Sequence, residues 1–287
     1  MTAIEVNDLN FTYGGKAILQ HISMKVEKGS RICVVGANGA GKSTLLRVLG
    51  GLHMIPEQSV QIFGRSPFHD TLFCNNNISY LGEGWSRTVA FVGNDVPYSA
   101  DITVADMLLN RGASGERIER LIKMLEVDRR WRMHEVSEGQ RKRVMILMKM
   151  LKPVSVLLLD EVTAHLDLVA RMRFLEYLRR ESVTNGFTVL YATHIMDGLD
   201  QWPTHILHLR DGKVSHFSTF PVSIPLSIQP METDNDGTKA VSKQRSPSST
   251  LFAIVFKWLL EDYEEIYQKD DTGFSNNVQE YDSVYLQ

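Results

Sequence analysis

The sequence predicts an α/β fold built on a buried, largely parallel sheet, and three stretches carry that expectation. Residues 34–44 read VVGANGAGKST: an apolar strand end, a glycine-rich turn and the first turn of a helix. Residues 156–161, VLLLDE, form an uninterrupted apolar run closed by two carboxylates, and residues 188–194, TVLYATH, form a second run closed by a histidine. Uninterrupted runs suit central parallel strands covered on both faces, whereas a strand with one wet face would alternate. Ligands of such sheets sit at the carboxyl ends of the strands. Residues 36–44, Asp160, Glu161 and His194 are therefore expected along one edge.

The composition sets the outer limits. With 287 residues the chain suffices for one large α/β domain, or one plus an appendage. A net charge of −3 leaves no overall basic field, so no direct nucleic-acid partner is expected. Two cysteines, Cys33 and Cys74, make neither a disulfide framework nor a metal-ligand cluster, which points to a reducing compartment. The start, MTAIEVNDLNF, lacks the basic and apolar regions of a signal peptide. The apolar runs at 154–159 and 251–260 fall short of the roughly 18 residues a membrane helix needs, so no membrane insertion is expected.

In chain order, residues 4–6, 10–13 and 22–26 read as short strands, with turns at Gly14-Gly15 and Lys28-Gly29. Tyr13, before the first turn, reads on its own as a packed strand aromatic. Strand 31–35 then feeds the glycine-rich turn, where Gly36, Gly41, Lys42 and Ser43 fill the fixed places of G-x-x-x-x-G-K-[ST]. Ala37, Asn38, Gly39 and Ala40 lie between them and Thr44 follows. Such a loop bends so that successive backbone N–H groups converge on a phosphate, and the helix N-terminus behind it favours an anion. Lys42 adds a charge for the β- and γ-phosphates, and the Ser43 hydroxyl is a Mg²⁺ ligand. The expected ligand is a nucleoside triphosphate with Mg²⁺.

Residues 58–64 read as a short strand and turn, whereas 65–100, with NNN at 75–77 and YLGEGW at 80–85, give no clear pattern. Residues 101–152 are helical in character. Asp101 or Thr103 can cap the first segment, and Ile118, Leu121, Ile122 and Leu125 place one apolar stripe on the second. The third opens after VSEGQ at 136–140, carries Val144, Leu147, Met148 and Leu151 on one side, and stops at Pro153. Its Arg141-Lys142-Arg143 triplet reads as a solvated face. After the run at 156–159, Asp160 would hold the metal sphere and Glu161 would orient or deprotonate a water. A helix over 169–180 leads to the second run, whose His194 reads as a γ-phosphate contact. A strand at 205–209 and the Asp211-Gly212 turn bring the main domain to a close near 220.

Residues 221–249, with four prolines and no periodicity, read as a flexible linker, 250–268 as a helix and 269–287 as a polar tail. Two apolar stripes mark that helix: Phe252, Val255, Phe256, Leu259 and Tyr263 form one, and Leu251, Ile254 and Trp258 the other. It docks either wholly on its own domain, or by one stripe only, leaving the stripe with Trp258 for a second protomer or another partner.

Taken in order, the phosphate loop, Ser-x-Gly-Gln at 137–140, the strand ending in Asp160-Glu161, the Leu166-Asp167 pair and Ala-Thr-His at 192–194 resemble an ABC-type ATPase domain over residues 3–217. The resemblance implies an ATP hydrolase using ATP and Mg²⁺. It implies that Tyr13 stacks on adenine and that Ser137, Gly139 and Gln140 belong to the signature reaching ATP held by a second domain. Glu161 becomes the catalytic base, Asp167 the D-loop residue and His194 the switch histidine. The phrases LGEGW, WRMHEVSEGQRKRV, VLLLDEVTAHLD and YATHIMDGLDQWPTH resemble the small soluble ABC ATPases that lack transmembrane partners. That branch includes a yeast member associated with the CCR–NOT transcription and mRNA-deadenylation complex, and the plant subfamily I proteins. It implies an ATP-dependent head-to-tail homodimer regulating a protein complex of the CCR–NOT type in the cytoplasm and nucleus. The alternative is the ATP-hydrolysing subunit of a multi-subunit membrane transporter. Three departures stand out: Glu138 within the signature, Val162 after the catalytic Glu, and no Gln for the metal-side loop, for which Asn94 or Glu83 stands in.

Overall fold

The computed structural model describes residues 1–82, 88–91, 94–97, 101–109, 113–220 and 251–269. The expected linker at 221–249 and the tail beyond 269 lie outside the described residues, as does Glu83.

Two strands, β1 (Thr2–Tyr13) and β2 (Lys16–Glu27), form an antiparallel hairpin closed at Gly14-Gly15. The separate short strands expected here are fused into these two. Register shifts along the pair, with Asp8 and His21 at positive φ, break the alternation that the sequence pattern depends on. After β3 (Arg31–Val35) and α1 (Lys42–Leu49), the short β4 (Val60–Ile62) joins β1 to complete a three-stranded sheet. The stretch that gave no pattern holds α2 (Thr71–Asn77), capped by Asp70, whose carboxylate accepts from Phe73 N at 2.9 Å. It also holds β5 (Ile78–Leu81) and a hairpin of β6 (Thr88–Phe91) and β7 (Asn94–Pro97). These elements are too short to show a period.

Three helices follow: α3 (Val104–Leu108), α4 (Gly115–Leu125) and α5 (Glu138–Met150). Thr103 caps α3, forming a capping box with Asp106. Then come β8 (Val156–Asp160), a 3₁₀ turn (Val162–His165), α6 (Leu168–Asn185), β9 (Thr188–Ala192), β10 (His205–Arg210), β11 (Lys213–Thr219) and α7 (Leu251–Lys269). The helix expected over 169–180 runs five residues further, to a left-handed Gly186 that caps it.

The central sheet has the order β11-β10-β3-β9-β8-β5, parallel throughout except for the edge strand β11. Its buried strands alternate between two cores. Ile32, Val34, Leu158, Leu190 and Leu207 face α1 and the antiparallel sheet, while Cys33, Val35, Leu157, Leu159 and Tyr191 face the helices. The register aligns the carboxyl ends: Ala192 lies opposite Asp160 on one side and Val34 on the other. The sheet edge expected to collect the functional residues therefore exists.

The tail helix docks by a face that cuts across the expected stripes. Leu251 and Val255 are buried in the helix-side core, with Ile254, Trp258 and Leu259 packed against it, and Asp262 is buried as well. Phe252 and Tyr263 are exposed. Trp258, partly buried, thus packs against its own domain, as in the first of the two expected docking modes. A further correction concerns Arg143, read as solvated: it pairs with Glu126 and Asp167 and is only 17% exposed.

Candidate nucleotide site

The phosphate loop is shaped by what lies beneath it. At Gly36, φ is 149° and a Cβ would stand 2.2 Å from the Leu209 carbonyl oxygen, so no other residue fits. Gly41, at φ 101°, starts α1 with no side-chain cap and no acid in the first turn. The leading N–H groups of the helix are left for an anion. The Lys42 ammonium donates to the carbonyls of Gly36 at 2.8 Å and Ala37 at 3.0 Å, bracing the loop across its mouth. Burial lowers the lysine pKa, and the charges of Glu161 and Asp160 partly restore it. A triphosphate would add to the counter-charge that Glu161 and Asp160 give this half-desolvated cation.

At the end of β8, the buried Asp160 accepts from Ser43 Oγ at 3.0 Å on Oδ1 and from the Tyr80 hydroxyl at 3.1 Å on Oδ2. Arg47 Nε in turn donates to the Tyr80 oxygen at 3.3 Å. Burial pushes the Tyr80 phenol up to about 12, so it stays a neutral donor. Gly82 makes room for it, since a Cβ there would lie 2.1 Å from the phenol oxygen. The carboxylate and hydroxyl are hard oxygen donors of the kind Mg²⁺ takes, one or two from protein and the rest from phosphate and water, so the residues present fit that ion.

Glu161 leaves the strand in a left-handed conformation, φ 53°, with its N–H donated to Ala192 O at 3.0 Å. That turn carries its carboxylate over to β9, where His194 Nδ1 lies 2.9 Å from Glu161 Oε2. A carboxylate this close to an imidazole, next to a second carboxylate, has the chemistry to orient and deprotonate a water. Tyr13, at the tip of the β1–β2 hairpin, is 71% exposed, so its ring is available for stacking and is not a core residue.

The structure thus brings Lys42, Ser43, Asp160, Glu161 and His194 to one sheet edge. The signature residues, Asp167 and Asn94 lie elsewhere. Ser137 caps α5 in a reciprocal box with Gln140, its N–H donating to Oε1 at 2.9 Å and its hydroxyl accepting from the Gln140 N–H at 3.3 Å. Gly139 lies between them in the first turn. Among the described residues no hydrogen bond or ion pair joins this segment to the phosphate loop. Asp167 caps α6, accepting from Ala170 N at 2.9 Å, and pairs with Arg143. The Ala170 N–H and, behind it, the Arg143 charge hold its carboxyl below the usual range. Asn94 opens β7 in the small hairpin, opposite Phe91; its side chain lies outside the described residues.

Two participants escaped the sequence reading. Tyr80 sits on a strand too short to notice, though ISYL does alternate. Asp262 offered a clearer signal: it falls on the helical face of Leu251, Val255 and Trp258, a carboxylate where the spacing demands an apolar residue.

A glycine-walled loop, a buried carboxylate at a strand end and a carboxylate–imidazole pair on a parallel sheet, with a helical insertion carrying Ser-x-Gly-Gln, define a nucleotide-binding cassette. The comparisons agree with that class. Residues 19–164 match the family model described as ABC transporter. ABC transporter I family member 20 of Arabidopsis thaliana is 38% identical over 98% of this chain and 83% of its own length. CCR4-associated factor 16 of Saccharomyces cerevisiae is 35% identical over 91% and 95% respectively. The chain belongs to the ABC transporter family. Among solved structures, the ATP-binding cassette MJ0796, described as a dimer in a post-hydrolysis state bound to ADP and Pi, superposes with a TM-score of 0.62 at 21% identity. That match covers 75% of this chain and 98% of the other. No helix among the described residues is long and apolar enough to cross a membrane.

Proposed function

We propose that this chain binds and hydrolyses MgATP in a head-to-tail homodimer and that its nucleotide cycle regulates a protein complex of the CCR–NOT type. One observation carries the chemical part: the loop, Asp160, Glu161 and His194 converge on one sheet edge, while the signature residues Ser137, Gly139 and Gln140 have no bond to it. A single chain therefore holds two unlike half-sites, and a second copy reversed against the first completes both. In each site Tyr13 would stack on adenine, residues 36–44 would wrap the phosphates, and Ser43 and Asp160 would hold Mg²⁺, whose charge would offset that of the phosphate oxygens. Glu161 takes the proton of the attacking water, and His194 holds that carboxylate and touches the γ-phosphate.

For the metal-side loop, β5 ends with Leu81 beside Leu159, one residue before Asp160, and Glu83 follows two residues on. Asn94 belongs to a separate hairpin. The metal-side residue is Asn94 or, failing that, Glu83, as the sequence resemblance implies. For the biological role, the name of the yeast relative connects that protein with CCR4. An assembly of this kind places the chain in the cytoplasm and nucleus, with protein subunits as its partners.

Glu161→Gln should leave ATP binding intact and lower turnover by about 10²–10⁴, the usual worth of a general base. Lys42→Ala should remove binding. Single-turnover hydrolysis beside equilibrium binding of a fluorescent ATP analogue separates the two, and wild-type turnover in Glu161→Gln would overturn the assignment. Recovery of affinity-tagged chain with membranes, and not with deadenylation-complex subunits, would favour the transporter alternative.

A further inference from the structure

We infer that Asp262 is a positioning residue for the phosphate loop, acting from α7 through β10; this rests on the nucleotide reading above. Asp262 is 2% exposed, yet it carries a carboxylate into an otherwise apolar docking face. His208 Nε2 lies 2.8 Å from its Oδ2 and Arg210 Nε 3.2 Å from its Oδ1. Trp258, one helical turn earlier, stacks on His208 and His216 with ring centroids 5.2 and 4.8 Å away. A buried carboxylate is tolerated only while its partners stay in place. Docked α7 therefore holds β10 at two alternate residues, on either side of Leu209.

Those residues form the bed of the loop. His208 lies in register with Val35, the residue before Gly36. The Leu209 carbonyl occupies the space a Gly36 side chain would need. Past the strand, Gly212 N donates to Ala40 O at 3.2 Å. Asp262 and Arg210 also line, with Lys16, Asp211 and residues 37–40, a cavity of about 250 Å³ against the outer wall of the loop. A shift of β10 would move the Leu209 carbonyl and with it the start of the loop, whose N–H groups must converge on phosphate. Docking of α7 and nucleotide binding are thus linked, and the linkage runs equally in both directions.

The test uses the full chain carrying Glu161→Gln, so that MgATP persists. Hydrogen exchange of α7 and α6 amides is followed with and without MgATP, and a fluorescent ATP analogue is titrated into the same preparation. MgATP should slow α7 exchange several-fold more than it slows exchange of α6, an excess that general stabilisation by bound ligand would not produce. Asp262→Asn should weaken nucleotide binding by about 5-fold or more and remove that protection, and Asp262→Glu should restore part of it. Should Asp262→Asn fail to fold, the exchange measurement on the chain with Asp262 decides alone. A chain that binds nucleotide with α7 exchange slowed no more than that of α6 overturns the inference, as does an Asp262→Asn chain that binds as well or more tightly. A chain that binds no nucleotide overturns this and the nucleotide reading together.

Discussion

Tyr80 shows how a single side chain conditions the chemistry of its neighbour. In the proposed site Asp160 would use its two oxygens both for protein donors and for a metal. The Tyr80 phenol donates to Oδ2 and the Ser43 hydroxyl to Oδ1, so the phenol fixes the orientation in which the carboxylate would meet a metal beside Ser43. Arg47 holds the phenol from behind. Tyr80→Phe removes the donor while keeping the ring, leaving a buried carboxylate oxygen short of one hydrogen bond, a loss of about 1–3 kcal/mol where the partner is charged. The expected outcome is a several-fold rise in the Mg²⁺ concentration needed for half-maximal MgATP binding, with metal-free ATP binding unchanged. A magnesium titration of nucleotide affinity checks this, and equal weakening with and without metal would show that the ring, and not the hydroxyl, matters.

At the scale of an element, α7 shows why a sequence stripe and a docking face need not coincide. The helix is apolar on more than one side, so periodicity alone left Phe252 and Leu251 equally eligible for burial. The body decides between them: Leu251 and Val255 enter the helix-side core, and the imidazoles of His208 and His216 offer Trp258 a flat surface. Burying side chains of this kind is worth about 1.5–3 kcal/mol each. Leu251→Ala should therefore cost about 2–5 kcal/mol and lower the thermal midpoint, whereas Phe252→Ala, at an exposed position, should stay within about 0.5 kcal/mol. Paired thermal melts check this, and the reverse order would mean that the opposite face docks.

For the whole molecule, the proposed function turns on the separation of the signature segment from the phosphate loop. The signature segment is tied to itself by the capping box of Ser137 and Gln140 and makes no bond to the loop of its own chain. Unlike α1, its helix is already capped by Ser137 and carries Glu138 in the first turn; in the proposed dimer a phosphate brought by a second chain would meet Ser137 and Gly139. The Glu161→Gln chain with MgATP should elute as a dimer and return to monomer with ADP. Ser137→Arg, which fills the approach with a bulky side chain, should stay monomeric in both. Size exclusion with light scattering reads the result, and a monomeric Glu161→Gln chain with bound MgATP would count against composite sites.

How much could be read beforehand follows from the range of the forces involved. Local chemistry was legible: the loop needs glycine at Gly36 and Gly41 and charge at Lys42, and buried parallel strands need the unbroken runs ending at Asp160 and His194. These requirements are met within a few residues, so the fold class and one edge of the site were written in order along the chain. The register that aligns Asp160 with Ala192, the hydroxyl of Tyr80 reaching Asp160, and Arg143 meeting Asp167 depend on segments far apart in sequence. Long-range packing alone could place the carboxylate of Asp262 beside His208 and Arg210, because burying a charge is acceptable only where another part of the chain supplies its partners.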